Sequence, residues 1–379
     1  MELKEILEVI ETRKPDEKAV EEAKKREEVL AKPTGALGDL EAMAIKMAGI
    51  TKKVKNEIKK QCIVLFSSDN GVIEEGVASA PVSVTQSQTI NFLRHYTGMS
   101  ALANYFGCDM LIVDVGVKLP ISDSLYTNTF DFIPGGFSET GEFKGKIVNR
   151  KIAEGTKNLA KEPAMTKEEC IKAIMVGFDS VKAIKDAGYD IFGVGEMGIG
   201  NTTTSSCLLS YISKADPKTF IGRGGGLNDK GLKKKIDIVK NAVDKEKGDI
   251  IDALSHMGGF DIASMVGAYL GASYYEIPVV IDGYISSVAA LIAKTLSKNT
   301  VNYMFSSHES KEPGYLIAIR LLELKPMFNL GMRLGEGSGC PIAFKILEAA
   351  CAHMKDMATF SEGAIDAEYL KEGKEKKFF

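Results

Sequence analysis

The chain has 379 residues, of which 45% are hydrophobic and 26% charged, with a formal net charge of -3. This balance is ordinary for one large or two modest globular domains, and it offers no general attraction to nucleic acid or anionic membranes, so any phosphate must be held locally. The charged opening segment is unlike a signal peptide, no apolar run reaches spanning length, and six scattered cysteines without a CxxC pair read as buried thiols of a reducing cytoplasm.

In chain order, Leu3, Ile6, Leu7 and Ile10 recur at helical spacing, Pro15 interrupts, and Val20, Ala23, Glu27 and Leu30 outline a second, strongly charged helix. "KPTGALGDLE" breaks the pattern before a third helix through "EAMAIKMAGI". From about residue 60 short apolar runs each end in Gly, Ser, Asp or Glu: "CIVLFSSDNG", "MLIVDVGV", "YDIFGVGEMGIGN", "IPVVIDGYIS" and "VNYMFSSHES". Helical stretches such as "TQSQTINFLRHYTGMSALANYF" and "GGFDIASMVGAYLGASYY" separate them. Near-continuous apolar strands alternating with helices predict a parallel sheet covered on both faces, with ligands at the carboxyl edge. "KEPGYLIAIRLLELKPMF" reads as a helix closed by Pro326, "IAFKILEAACAHMKDM" as another, and "EYLKEGKEKKFF" as a solvated tail. The expected architecture is an α/β, Rossmann-like catalytic domain over residues 48–338, with a small helical subdomain built from 1–47 and 339–379.

Three glycine-rich stretches carry candidate chemistry. "NLGMRLGEGSGCP" places Glu336 between two glycines, either as part of a tight turn or as a proton acceptor facing a small molecule. "GVGEMGIGNTTTSS" holds a GxGxxG at Gly193, Gly195 and Gly198, but no second strand ends in an acid at the distance a dinucleotide site requires. It reads better as a loop whose amides, with Thr202 and Thr203, wrap one phosphate; a helix merely capped by Asn201 or Thr202 is the plainer option. "GRGGGLNDKGLKKKIDIVKNAV" offers a second glycine nest before an amphipathic helix with Ile236, Val239 and Val243 inward. Its lysines 233–235 are either a solvated face or include one turned toward an anion. Four separated histidines and no HExxH predict no metal site, and His308 reads as structural.

In order, "SSDNGVIEEGVASAP", "IVDVGV", "GVGEMGIGNTT", "GRGGGLND", "GGFDIASMVGAYLGA", "VVIDGYIS", "SSHESKEPG" and "MRLGEGSG" resemble the nicotinate-nucleotide–dimethylbenzimidazole phosphoribosyltransferase family of cobamide (vitamin B12) synthesis. The resemblance spans nearly the whole chain. It implies that a benzimidazole nitrogen attacks C1′ of nicotinate mononucleotide, nicotinate leaves, and an α-ribotide forms without metal or organic cofactor. It makes Glu336 the general base, raised toward a useful pKa by burial beside an aromatic ring, with Arg333 an opposing charge. It carries over Glu196 as support for positive charge on the ribose and Lys235 as holder of an anionic group. The phosphate is expected among Gly198, Asn201, Thr202, Gly224 and Gly225, with Asp282, Gly283 and Ser310 completing the wall. The base pocket is expected at Ala80, Pro81, Gln88, Met197 and Leu334. Ala80 replaces a serine found in some members and Asn70 a histidine, which leaves the acceptor open among benzimidazoles, purines and phenolics. A cytoplasmic homodimer is expected. Alternatives are a subunit of a heteromeric relative, a catalytically silent nucleotide-binding subunit, and an NAD-dependent oxidoreductase resting on the GxGxxG.

Overall fold

The computed structural model describes residues 1–136, 139–224 and 226–370. Gly225 and residues 371–379, most of the expected tail, lie outside the described residues. α1 (Leu3–Thr12) sends Ile6 and Ile10 into the main core. α2 (Glu17–Val29) begins at Asp16, whose carboxylate accepts from the Ala19 amide at 2.7 Å and so caps the helix. α3 (Asp39–Thr51) follows a turn pinned by buried Lys32, paired with Glu27 at 2.9 Å and Glu41 at 2.8 Å.

β1 (Gln61–Ser68) is buried along its whole length. The stretch after it, expected as one helical run, is two helices, α4 (Ser83–Phe92) and α5 (Gly98–Phe106). They part at His95, which takes φ 56°, and Thr97 then caps α5 by accepting from the Ser100 amide at 3.2 Å. β2 (Asp109–Gly116) leads to two short strands, β3 (Tyr126–Thr127) and β4 (Ile147–Asn149). α6 (Lys167–Asp186), β5 (Ile191–Met197), α7 (Asn201–Ser213), α8 (Asp229–Lys245), α9 (Ile250–Met257) and α10 (Phe260–Tyr274) follow. β6 (Val279–Ile281), α11 (Tyr284–Leu296), β7 (Met304–His308) and α12 (Tyr315–Leu322) come next. α12 stops where Glu323 turns left-handed at φ 60°, before Pro326 is reached. Pro326 instead opens β8 (Pro326–Phe328), an edge strand, where a missing N–H is tolerated. α13 (Cys340–Asp356) closes the set.

The strands form one eight-stranded sheet in the order β3-β4-β2-β1-β5-β6-β7-β8, every pair parallel. Chain direction across the sheet reverses between β1 and β5, which creates a crevice beyond their carboxyl ends. α13 packs Phe344 and Leu347 into the main core, while its Ala350 and Met354 meet Ala23, Ala44 and Ala48 in a small second core. α2, α3 and the second half of α13 share this second core, while α1 packs into the main one.

α6 and α10 touch backbone to backbone. A Cβ at Gly177 would stand 1.8 Å from the Ser264 carbonyl oxygen, and one at Gly267 would stand 1.8 Å from that of Ile174. Neither contact can yield without moving a helix, so Gly267→Ala is expected to cost about 3 kcal/mol, the upper range for overpacking. Denaturant unfolding measures it; an unchanged midpoint would show that the helices separate freely.

Candidate active site

The crevice between the ends of β1 and β5 opens into a cleft of about 670 Å³. Ala80, Gln88, Met197 and Leu334 line one part of it, and Gly198, Asn201, Thr202 and Gly224 another, with Glu196 and Glu336 between. Gly283, Ser310 and Asp282 border a small adjoining recess. Asp282 turns its carboxylate to backbone amides. Pro81 is exposed and does not line the cleft. Lys235 reaches it from behind: its Nζ donates to Thr202 Oγ1 at 2.9 Å and lies 4.0 Å from where a Gly224 Cβ would be.

Glu336 stands in a tight turn and also lines the cleft. Gly335, Glu336 and Gly337 are all left-handed, at φ 86°, 64° and 82°. The Glu336 side chain is only 6% exposed, and its Oε2 accepts from the Met99 amide at 3.1 Å, at the start of α5. A helix start is a favourable seat for a carboxylate.

The GxGxxG glycines serve protein packing rather than a dinucleotide. A Cβ at Gly193 would stand 2.6 Å from Cys340, one at Gly195 2.5 Å from the Glu336 carbonyl oxygen, and one at Gly198 2.3 Å from that of Ser68. Gly193 clears room for the start of α13 and Gly195 for the turn bearing Glu336 to lie on β5, which removes the basis of the NAD-dependent oxidoreductase alternative. The capping reading is corrected too. Gly200, at φ 97°, is the N-cap of α7 and no side chain caps it. Asn201 donates instead to Glu196 and, at 3.0 Å, to Asp261, and Thr203 is fully buried outside the cleft lining. No side chain caps the α7 start, although the Asn201 and Thr203 amides donate to the Gly198 and Gly200 carbonyls at 3.1 and 2.9 Å.

Burial sets the electrostatics. It pushes the Glu336 carboxyl up, opposed by the Met99 amide. It pushes Glu196 well above the ordinary carboxylate value, with Asp261 and Asp282 adding repulsion, so the protonated form is favoured there. Asp261 rises to about 6 for the same first reason. Lys235 falls to about 8 by burial, with Glu312 opposing. Lys233 and Lys234 remain exposed, Lys234 paired with Glu75 at 2.9 Å; the face α8 buries is Lys235, Ile238 and Val239, with Ile236 and Val243 half-buried. Sequence reasoning missed Arg223 and Glu312, which line the cleft, and Asp261 beneath it. Asp261 had a signal, an acid at the start of an otherwise apolar helix.

A parallel α/β sheet with a cleft at its reversal point, lined by a buried acid and backed by a buried amine, has the form of a small-molecule enzyme. The chain belongs to the phosphoribosyltransferase family whose model matches residues 12–365. It is 47% identical over 367 residues, 96% of each chain, to the nicotinate-nucleotide–dimethylbenzimidazole phosphoribosyltransferase of Clostridium perfringens. It is 42% identical to that of Clostridium tetani, over 95% of each chain. The crystal structure of the Thermus thermophilus enzyme of that name superposes with a TM-score of 0.83 at 30% identity, over 93% of this chain and 99% of that one.

Proposed function

We propose that the protein transfers the ribose 5-phosphate of nicotinate mononucleotide to a benzimidazole-type base, giving an α-ribazole 5′-phosphate and nicotinate for the cobamide nucleotide loop. The observation that carries this reading is a buried carboxylate, Glu336, sharing one cleft with the Lys235–Thr202 pair and the α7 start. The phosphate sits against Thr202, Gly224 and the α7 amides, drawn by Lys235 and the helix dipole. The flat acceptor lies among Ala80, Gln88, Met197 and Leu334, close to the left-handed turn. One acceptor nitrogen bonds to C1′ as its N–H proton passes to Glu336 from the other nitrogen. The C1′–N bond to nicotinate breaks, and its electron pair returns to the pyridinium ring, so no metal or organic cofactor is required. Glu196, favoured in its protonated form, contributes a hydrogen bond and support to the turn rather than a full negative charge.

The working form we assign is a homodimer, in which the second copy covers the exposed Leu334 at the cleft rim. The buried thiols fit a cytoplasmic setting, and no described helix is long and apolar enough to cross a membrane. Incubating the purified chain with nicotinate mononucleotide and a panel of benzimidazoles, purines and phenols, followed by chromatography, tests the reading. Benzimidazole ribotides are expected to form fastest, because the ring edge at Ala80 lacks a hydroxyl to receive a phenol. No ribotide from any acceptor would overturn the proposal in favour of a silent or heteromeric subunit.

A further inference from the structure

We propose that Asp282 is the positioning residue for Glu336, acting through the backbone of the turn that carries the base. The inference rests on the phosphoribosyl-transfer reading for its kinetic consequence, but its structural part stands separately. Asp282 directly follows β6 and is 2% exposed. Its Oδ2 accepts from the Gly337 amide at 3.0 Å and its Oδ1 from the Gly339 amide at 2.7 Å. One carboxylate thus forks across the residues immediately after the base.

The turn needs such a hold. Left-handed backbone is unfavourable for a residue with a Cβ and persists only where its surroundings over-determine it. Of the turn's other tethers, the Glu336 amide to Glu196 Oε1 is long at 3.4 Å, and the Met99 amide holds the side chain's Oε2 rather than the backbone. Asp282 is itself fixed: its amide donates to Ser286 Oγ at 3.0 Å and its carbonyl accepts from Ser307 Oγ at 3.0 Å. His308 Nδ1 lies 3.7 Å from Oδ1. A Cβ at Gly339 would stand 2.3 Å from that ring nitrogen and 3.0 Å from Oδ1, so glycine is what lets the chain reach the carboxylate. With both oxygens taken by amides, Asp282 is a poor partner for a phosphate, whose charge it would repel; its place beside the recess is that of a support.

Asp282→Asn tests this, because the amide can accept from one of the two N–H groups but turns its own NH₂ toward the other. Nicotinate mononucleotide affinity, by calorimetry, is expected to stay within about threefold while kcat falls about 100-fold, the scale for misplacing a reacting group by an ångström. Added to Glu336→Gln, the same change is expected to cost less than about threefold further, since both act through one group. Amide hydrogen exchange in peptides spanning 330–341 is expected to rise with exchange elsewhere unchanged. If Asp282→Asn does not fold, Asp282→Ser, which keeps an acceptor, takes the same measurements. An unchanged kcat, a loss confined to nucleotide affinity, or full multiplicative loss on the Glu336→Gln background would overturn the role. A wild-type chain that forms no ribotide sinks the transfer reading instead, and unchanged exchange over 330–341 in the variant would still overturn the positioning.

Discussion

Glu336→Gln is expected to lower kcat for ribotide formation about 1,000-fold, within the range a general base contributes, with nicotinate mononucleotide affinity and folding retained. Gln keeps an oxygen for the Met99 amide and the same backbone demand at φ 64°, so the turn survives and only proton acceptance is lost. Stability is expected to hold or rise. The folded-state pKa of Glu336 is raised by burial above its unfolded value of about 4.3. The native chain therefore keeps that proton longer than the unfolded one. Ionising Glu336 costs stability, a cost that develops as pH climbs through the unfolded value and is complete above the folded one. At neutral pH the wild type bears that cost and the Gln variant does not. In the wild type, kcat should fall as pH drops through the raised value, and the variant should lose that limb. Near-native turnover by a folded, substrate-binding variant would remove Glu336 from the base role.

The apolar runs of β1, β2 and β5 marked the sheet because strands buried on both faces need continuous hydrophobic sequence. β3 and β4 left no such mark: at two and three residues they are too short for any pattern. β8 was hidden by its own Pro326, read as a helix stop. Glu336 was legible because glycines on both sides strip cover from an acid. What Gly193 and Gly195 make room for was not, because the start of α13 and the turn they admit come from a distant part of the chain. Which of Lys233, Lys234 and Lys235 turns inward was not legible, since Lys233 sits three residues before Ile236 as Lys235 sits four before Val239; packing of α8 decides it by burying Lys235 with Ile238 and Val239. The place of Asp282 had no local signal, its amide partners lying 55 and 57 residues away. The signal for the proposed base was thus local in sequence, and that for its proposed support was tertiary.

Lys235→Met is expected to weaken nicotinate mononucleotide binding about 30- to 100-fold, the effect of losing one charged hydrogen bond of about 2–3 kcal/mol. In the unliganded protein the amine, 1% exposed and donating to Thr202, has its pKa lowered to about 8, against an unfolded value of about 10.4. The native state therefore sheds this proton before the unfolded state does. Burying the ammonium costs stability, most fully below the folded value, and the cost is relieved as pH rises between the two. Met fills the same space without charge, so the variant should be more stable than the wild type at neutral pH while binding substrate worse. A bound phosphate reverses the cause, supplying the negative charge that favours the ammonium and pulling the amine's pKa back up. Binding near pH 8 must then take up a proton, measurable by calorimetry in buffers of different ionisation enthalpy, and wild-type affinity should decline as pH rises past about 8. The Met variant should show neither the uptake nor the decline. Equal pH dependence in the two proteins would place the phosphate away from Lys235, and with it away from the start of α7.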